Sequence, residues 1–146
     1  MSTADLPSSP PVAFVTGAAR GIGAATVRQL LTAGWQVVAF DACADDPAIA
    51  YPMATELDLD RVVAAGGDAC IGVVGDVREQ AHVDAAVNAA PDRFGGLAAV
   101  VAAAGVLAGG EPAWDTGEDA WTTQLDVNLT GVWRVARAAV PALLAR

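Results

Sequence analysis

Short, mostly apolar runs alternate along this chain with longer stretches in which apolar residues return every three or four positions. Val12 to Val15, Gln36 to Phe40, Ile71 to Val74 and a run near Leu97 to Ala103 read as four strands, apolar enough to be buried on both faces. After the first run, Ala24, Val27 and Leu31, with Leu30 beside them, fall on one face of a helix that Gly34 would stop. Thr55 with Asp58 predicts a capping box opening a short helix to Ala65, closed by Gly66-Gly67. A third helix is expected from roughly Glu79 to Ala90, stopped by Pro91. Thr116 with Asp119 suggests another cap, leading through Trp121 into a long helix near Gln124 to Ala145, which Pro141 should kink or end. Strands alternating with helices imply right-handed crossovers and an α/β fold: a parallel sheet, helices on both faces, strand order 3-2-1-4. That is the first half of a doubly wound sheet, and strand four would then present an apolar edge.

At 146 residues one domain is the limit, with residues 1–11 a flexible Ser- and Pro-containing lead-in and residues 12–146 an α/β domain expected to be incomplete at its C-terminus. The chain is 54% hydrophobic, which Ala and Gly inflate, and its mean hydropathy of +0.42 is high for a domain covered by nothing else. Phe94 to Gly110 carries no charge, yet it falls just short of the ~18 continuous apolar residues of a spanning helix and contains five glycines. A buried strand and loop explain it better. Met1 to Pro11 lacks a basic and then apolar secretion signal, so a cytoplasmic protein is expected. Cys43 and Cys70 have no metal-ligand or C-x-x-C spacing, and reduced structural thiols are expected. A net charge of −9 without a long like-charge run argues against nucleic acid and anionic membranes as partners.

The chemistry starts at Thr16-Gly17-Ala18-Ala19-Arg20-Gly21-Ile22-Gly23, between the first strand and the first helix. Glycines there let the backbone turn tightly and approach a pyrophosphate, whose charge meets free N–H groups at the helix start. The spacing is G-x-x-x-G-x-G. With Asp41 ending the second run, Asp76-Val77 the third, Ala102-Ala103-Ala104-Gly105 the fourth and Val127-Asn128-Leu129-Thr130-Gly131 in the final helix, the chain resembles the first half of a short-chain dehydrogenase/reductase, a Rossmann-type fold.

The resemblance implies an NAD-dependent alcohol or carbonyl oxidoreductase. Thr16 is expected to steady the turn through its hydroxyl, and Gly17 with the amides near Gly21, Ile22 and Gly23 to face the pyrophosphate. Asp41 would accept both ribose hydroxyls of NAD and repel the 2′-phosphate of NADP. Arg20 argues for NADP, but it can swing into solvent, so NAD is preferred. Asp76 would accept from the adenine amine while the Val77 amide faces a ring nitrogen. Ala103 and Gly105 would contact the cofactor ribose through backbone alone, since two alanines stand where the family usually has asparagines. Asn128 matches the asparagine that holds a relay water; its alternative is to bond the nearby helix backbone. The family's proton-transfer tyrosine and lysine have no match: the chain has no lysine, and its one tyrosine, Tyr51, lies in a loop.

Residues 42–54 form a connection longer than a βα turn usually requires. With Val101 to Val106 and Val127 to Trp133 it resembles the mycofactocin-coupled branch of the family, whose members hold the nicotinamide cofactor and pass electrons to mycofactocin as external carrier. The loop could cover the cofactor or be a surface excursion. His82 reads as surface, and Trp114, Trp121 and Trp133 as packing or interface residues. Expected partners are a small alcohol or carbonyl substrate and either a second copy or the remaining half of the protein. A non-catalytic nucleotide-binding or assembly module is the alternative; a methyltransferase would explain the glycine loop but neither Asp76-Val77 nor Asn128.

Overall fold

The four apolar runs become β1 (Val12–Thr16), β2 (Gln36–Asp41), β3 (Cys70–Val74) and β4 (Ala99–Ala102), all parallel, in the order β3-β2-β1-β4. The structure is a computed structural model that describes residues 9–145, so residues 1–8 of the expected lead-in lie outside the described residues. Register aligns Thr16 with Phe40 and with Ala102, and Asp41 with Val74. The carboxyl ends of all four strands therefore meet on one rim, which is where an open α/β sheet builds its site.

Side chains alternate across the sheet with the period of two that strands impose. Phe14, Val38 and Phe40 face α3 (Gln80–Phe94) and the last helix, packing on Val83, Val87 and Val135. Ala13, Val15, Val37 and Ala39 face α1 (Gly21–Thr32) and α2 (Glu56–Gly66), against Val27, Leu59 and Val62. Phe14 and Phe40 meet edge to face with ring centroids 5.7 Å apart. Each such side chain contributes about 1.5–3 kcal/mol of transfer free energy when fully buried. β1 and β2 are central and enclosed, whereas β4 has β1 on one side and no strand on the other among the described residues.

The predicted capping box is present: Thr55 Oγ1 accepts from the Asp58 amide at 3.3 Å and Asp58 Oδ2 accepts from the Thr55 amide at 2.9 Å. Three expectations fail. Pro91 does not stop α3, which runs on to Phe94 and ends where Gly95 turns left-handed (φ +87) and donates to the Pro91 carbonyl. A proline in the last turn removes only one backbone bond, and the following turn is closed by glycine. Thr116 does not cap: α4 (Glu118–Leu125) starts from Gly117 without a side-chain cap, because the threonine stands one residue too early in extended backbone. Nor is the final helix continuous α. A π-helical stretch, Asp126–Gly131, joins α4 to α5 (Val132–Leu144), and Pro141 lies inside α5 near its end without ending it.

Along these last segments Trp121, Leu125, Leu129, Trp133, Val140 and Leu144 are exposed, spaced mostly by four residues on one side. Trp114 is exposed as well, so none of the three tryptophans packs in the core. No helix among the described residues is long and apolar enough to cross a membrane.

Candidate functional site

Between β1 and α1 the chain makes its tightest backbone contacts. Gly17 (φ +64) lies so close to the turn after β4 that a Cβ there would stand 2.7 Å from the Ala104 Cα. Gly23 sits against the same loop, where a Cβ would be 2.0 Å from the Gly17 carbonyl oxygen. Gly21 (φ +56) differs: it needs the left-handed backbone, but a Cβ would meet no protein atom within 4 Å. The start of α1 has no capping side chain and no acidic residue in its first turn. Its unpaired N–H groups and dipole therefore favour an anion in front of them.

A cleft of about 220 Å³ opens there, lined by Gly17, Arg20, Gly21, Ile22, Gly23, Asp41, Asp76, Val77, Ala103 and Gly105 among others. Ten of the twelve sequence-predicted residues thus meet in one place. Thr16 and Asn128 do not line it: Thr16 is buried and Asn128 is exposed. Thr16, 1% exposed, accepts from the Ala104 amide at 3.1 Å, so its hydroxyl braces β1 to the turn after β4 rather than the glycine turn itself.

Asp41 closes β2 and faces back. Its Oδ2 accepts from the Ala19 amide in the glycine loop at 2.9 Å and its Oδ1 from the Cys43 amide at 3.1 Å. The second bond requires Cys43 to adopt a left-handed backbone (φ +50), the one such non-glycine residue among those described, at a cost of roughly 1 kcal/mol. Each carboxylate oxygen keeps a further acceptor position. Burial and then the charge of Asp41 push the Cys43 thiol up to about 11, and burial pushes Cys70 to about 11. Both thiols are protonated and unreactive at neutral pH.

Arg20 does not swing into solvent. Its guanidinium donates to the Pro52 carbonyl at 2.6 Å, contacts the Met53 sulfur at 3.4 Å and lies 5.4 Å from the Tyr51 ring centroid. All three partners belong to the long connection 42–54. Tyr51 in turn accepts the Leu107 amide at 3.0 Å, and Asp46 accepts from Arg78 at 2.8 Å. The connection is thereby tied to the glycine loop, to the segment after β4 and to the segment after β3, around the rim of the cleft.

Asp76 is occupied. Its Oδ1 accepts from the Arg78 amide and Nε, its Oδ2 from Nε and from Nη2 at 2.6 Å. Burial alone would raise the Asp76 carboxyl, but the hydrogen bonds and charge of Arg78 outweigh it and hold the group below the usual carboxylate range. Its backbone amide donates to His82 Nδ1 at 3.3 Å, so the surface histidine has a partner. Val77 turns its buried side chain toward the π-helical stretch, where a Cβ on Gly131 would come within 2.7 Å of it.

Asn128 sits in that stretch and bonds neither its own helix nor an open space. Its Nδ2 donates to the Val106 carbonyl at 2.7 Å and its Oδ1 accepts the Val106 amide at 2.9 Å. This two-way clasp fixes the segment carrying Ala103 and Gly105, where the alanines offer no side-chain bonds. Asn128→Ala removes both bonds to Val106 at a site open to water, and a loss of about 1–3 kcal/mol is expected. Chemical unfolding of the full chain checks this; a loss below about 0.5 kcal/mol would contradict the clasp.

Sequence reasoning missed Arg78, Asp46, Tyr51 and the Cys43 amide. Arg78 had a signal, two residues after an aspartate already singled out. Among the described residues no cluster of His, Cys, Asp or Glu could hold a metal ion.

A profile of the short chain dehydrogenases matches residues 11–146. An NAD-dependent oxidoreductase of Mycobacterium tuberculosis is 42% identical over 137 residues, 91% of this chain and 50% of the relative. The (−)-trans-carveol dehydrogenase of Rhodococcus erythropolis is 36% identical over 137 residues, 92% of this chain and 50% of that protein. The crystal structure of carveol dehydrogenase from Mycobacterium avium in complex with NAD superimposes with a TM-score of 0.89 at 33% identity, covering 94% of this chain and 51% of that one. The chain spans about half the length of the relatives it matches.

Proposed function

Because the chain belongs to the short-chain dehydrogenase family, we propose that the protein carrying it is an NAD-dependent oxidoreductase interconverting a small alcohol and its carbonyl compound. The observation that carries this reading is the uncapped, acid-free start of α1 opening onto the same cleft as a carboxylate that two backbone amides hold in place. Those donors and that acceptor fit the two ends of an adenosine diphosphate: amides for the pyrophosphate, Asp41 for the ribose hydroxyls. When bound, NAD supplies the carbon that takes or gives the hydride. In this proposal Gly17, Arg20, Gly21, Ile22 and Gly23 form the phosphate wall, Ala103 and Gly105 line the second ribose, Asp76 and Val77 close the base end, and Thr16 and Asn128 hold the wall in place. A tyrosine and lysine for proton exchange are not among these 146 residues.

The connection 42–54, tied at three points around the cleft, supports a held cofactor and with it the mycofactocin-coupled branch. The Rhodococcus relative, by its name, oxidises a carveol, which favours a small alcohol as substrate. The exposed stripe along α4 and α5 supports a homo-oligomer, and a cytoplasmic setting suits a nicotinamide enzyme.

Native mass spectrometry of the full-length protein, purified without added nucleotide, tests the reading. An adduct of NAD mass that leaves only on denaturation is expected, and Tyr51→Phe should speed its exchange with labelled NAD several-fold by freeing the loop from Leu107. Protein that neither carries nor takes up NAD overturns the proposal. NAD that exchanges equally fast in both forms overturns the retaining role of the loop.

A further inference from the structure

Arg78 joins two carboxylates that come from different segments of the rim. Its amide, Nε and Nη2 hold Asp76 at the end of β3, while Nη1 donates to Asp46 Oδ2 at 2.8 Å on the connection 42–54. Three hydrogens of Arg78 thus serve Asp76, the one on Nε shared between both oxygens. An ionised carboxylate has about four acceptor positions, so one stays open to an N–H of a ligand in the cleft that Asp76 lines. The outer tie is sheltered: the Asp46 side chain is 12% exposed and that of Arg78 33%, so water and salt weaken it less than a surface pair. Asp46 is itself fixed within the connection. Its Oδ1 accepts from the Ala48 amide at 2.9 Å and its carbonyl from the amide of Ile49, a core residue. Next to it, Asp45 Oδ1 accepts from the Met53 amide at 2.8 Å, which staples the two ends of the connection together.

We propose that Arg78 is a positioning residue that couples recognition of the cofactor's base to closure of the connection 42–54: one guanidinium aims the carboxylate that meets the base and anchors the loop that rims the cleft. The inference rests on the NAD reading above, in which Asp76 closes the base end. Its physical content is the fork. With Nη1 held by Asp46, the guanidinium plane is fixed, and Nε and Nη2 keep Asp76 in one orientation. Release of the outer tie frees the loop and, through the same rigid plane, loosens Asp76. A lysine at this position carries the charge but has no planar fork to span both carboxylates. Coupling of this kind is reciprocal, so a base that satisfies Asp76 also favours the closed loop.

Two measurements on the full-length protein test the coupling: the rate at which bound NAD exchanges with labelled NAD, and the preference for NAD over nicotinamide hypoxanthine dinucleotide, which carries a carbonyl in place of the amine. Wild-type protein is expected to prefer NAD by about tenfold or more, the worth of one hydrogen bond to a charged group. Asp46→Asn keeps an oxygen for the Ala48 amide and turns an NH2 toward Arg78, so it cuts only the outer tie. It should speed exchange about fivefold and also shrink the preference to about threefold, although it leaves Asp76 and Arg78 unchanged. Arg78→Lys should move both quantities further in the same directions, and Asp46→Asn serves alone if the lysine variant does not fold. An Asp46→Asn protein in which only one of the two quantities moves, or neither, overturns the coupling, as does Arg78→Lys protein that matches wild type in both. Wild type that binds both dinucleotides equally also overturns it and leaves the NAD reading intact. Failure of the wild type to bind either dinucleotide overturns the NAD reading itself.

Discussion

Gly23→Ala is expected to cost about 3 kcal/mol or more, because its Cβ has nowhere to go. It would lie 2.0 Å from the Gly17 carbonyl oxygen and 2.6 Å from the carbonyl carbon, both backbone atoms. A flexible side chain could yield; a peptide unit held on one side by β1 and on the other by the turn after β4 moves only with the sheet. Gly21→Ala is the control. It stands in the same loop with a left-handed backbone (φ +56) but open space around the added carbon, so only the conformational term of about 1–2 kcal/mol applies. Thermal unfolding of the two full-length variants separates a packing requirement from a turn requirement. At about 2–4 °C per kcal/mol for a protein of this size, the Gly23 variant should melt roughly 6–12 °C below wild type. Equal midpoints for the two variants would show that close approach is not what the third glycine provides. The glycine pattern would then mark backbone freedom alone.

That contrast shows what a sequence motif does and does not contain. The G-x-x-x-G-x-G spacing, the four apolar runs and the acidic residue after the second run are local features, and they led to the observed sheet order and to ten residues that line one cleft. The capping box at Thr55 was legible for the same reason: both halves lie within three residues. What was not legible joins distant segments. Asn128 finds Val106 across 22 residues, Arg20 finds Pro52 across 32 and Tyr51 finds Leu107 across 56. Each pairing exists only because the crossovers bring loops to one rim. Pro91 and the π-helical stretch failed for another reason: tertiary packing overrode local preference. α3 is held against β1, β2 and α5 strongly enough to continue past one lost bond, and the wide turn at Asp126–Gly131 brings Gly131 against Val77 while Asn128 reaches Val106.

Asp41→Ser is expected to reverse the discrimination between cofactors, mainly by losing NAD. A charged acceptor for two ribose hydroxyls is worth about 1.5–3 kcal/mol per bond, so NAD affinity should fall at least about tenfold and more if both bonds are made. NADP gains from the other direction. Removing the carboxylate removes a repulsion of about 1–4 kcal/mol per unit charge at close range, and the Ala19 and Cys43 amides it now occupies become donors free to face a phosphate. The ratio of NAD to NADP affinity should therefore drop by about a hundredfold or more, measurable by titrating both cofactors into the full chain. Absolute NADP affinity should nonetheless stay modest, because both guanidinium groups of the cleft are committed: Arg20 is held by Pro52, Met53 and Tyr51, and Arg78 by Asp76 and Asp46. Combining Asp41→Ser with Tyr51→Phe tests that step, since Arg20 over a phenyl ring keeps its stacking partner while the loop loses its bond to Leu107. If the double variant binds NADP better than the single one, the loop restrains Arg20 as well as the cofactor. If the single substitution leaves the ratio unchanged, Asp41 does not face the ribose and its two amide bonds are purely a clamp between β2 and the glycine loop.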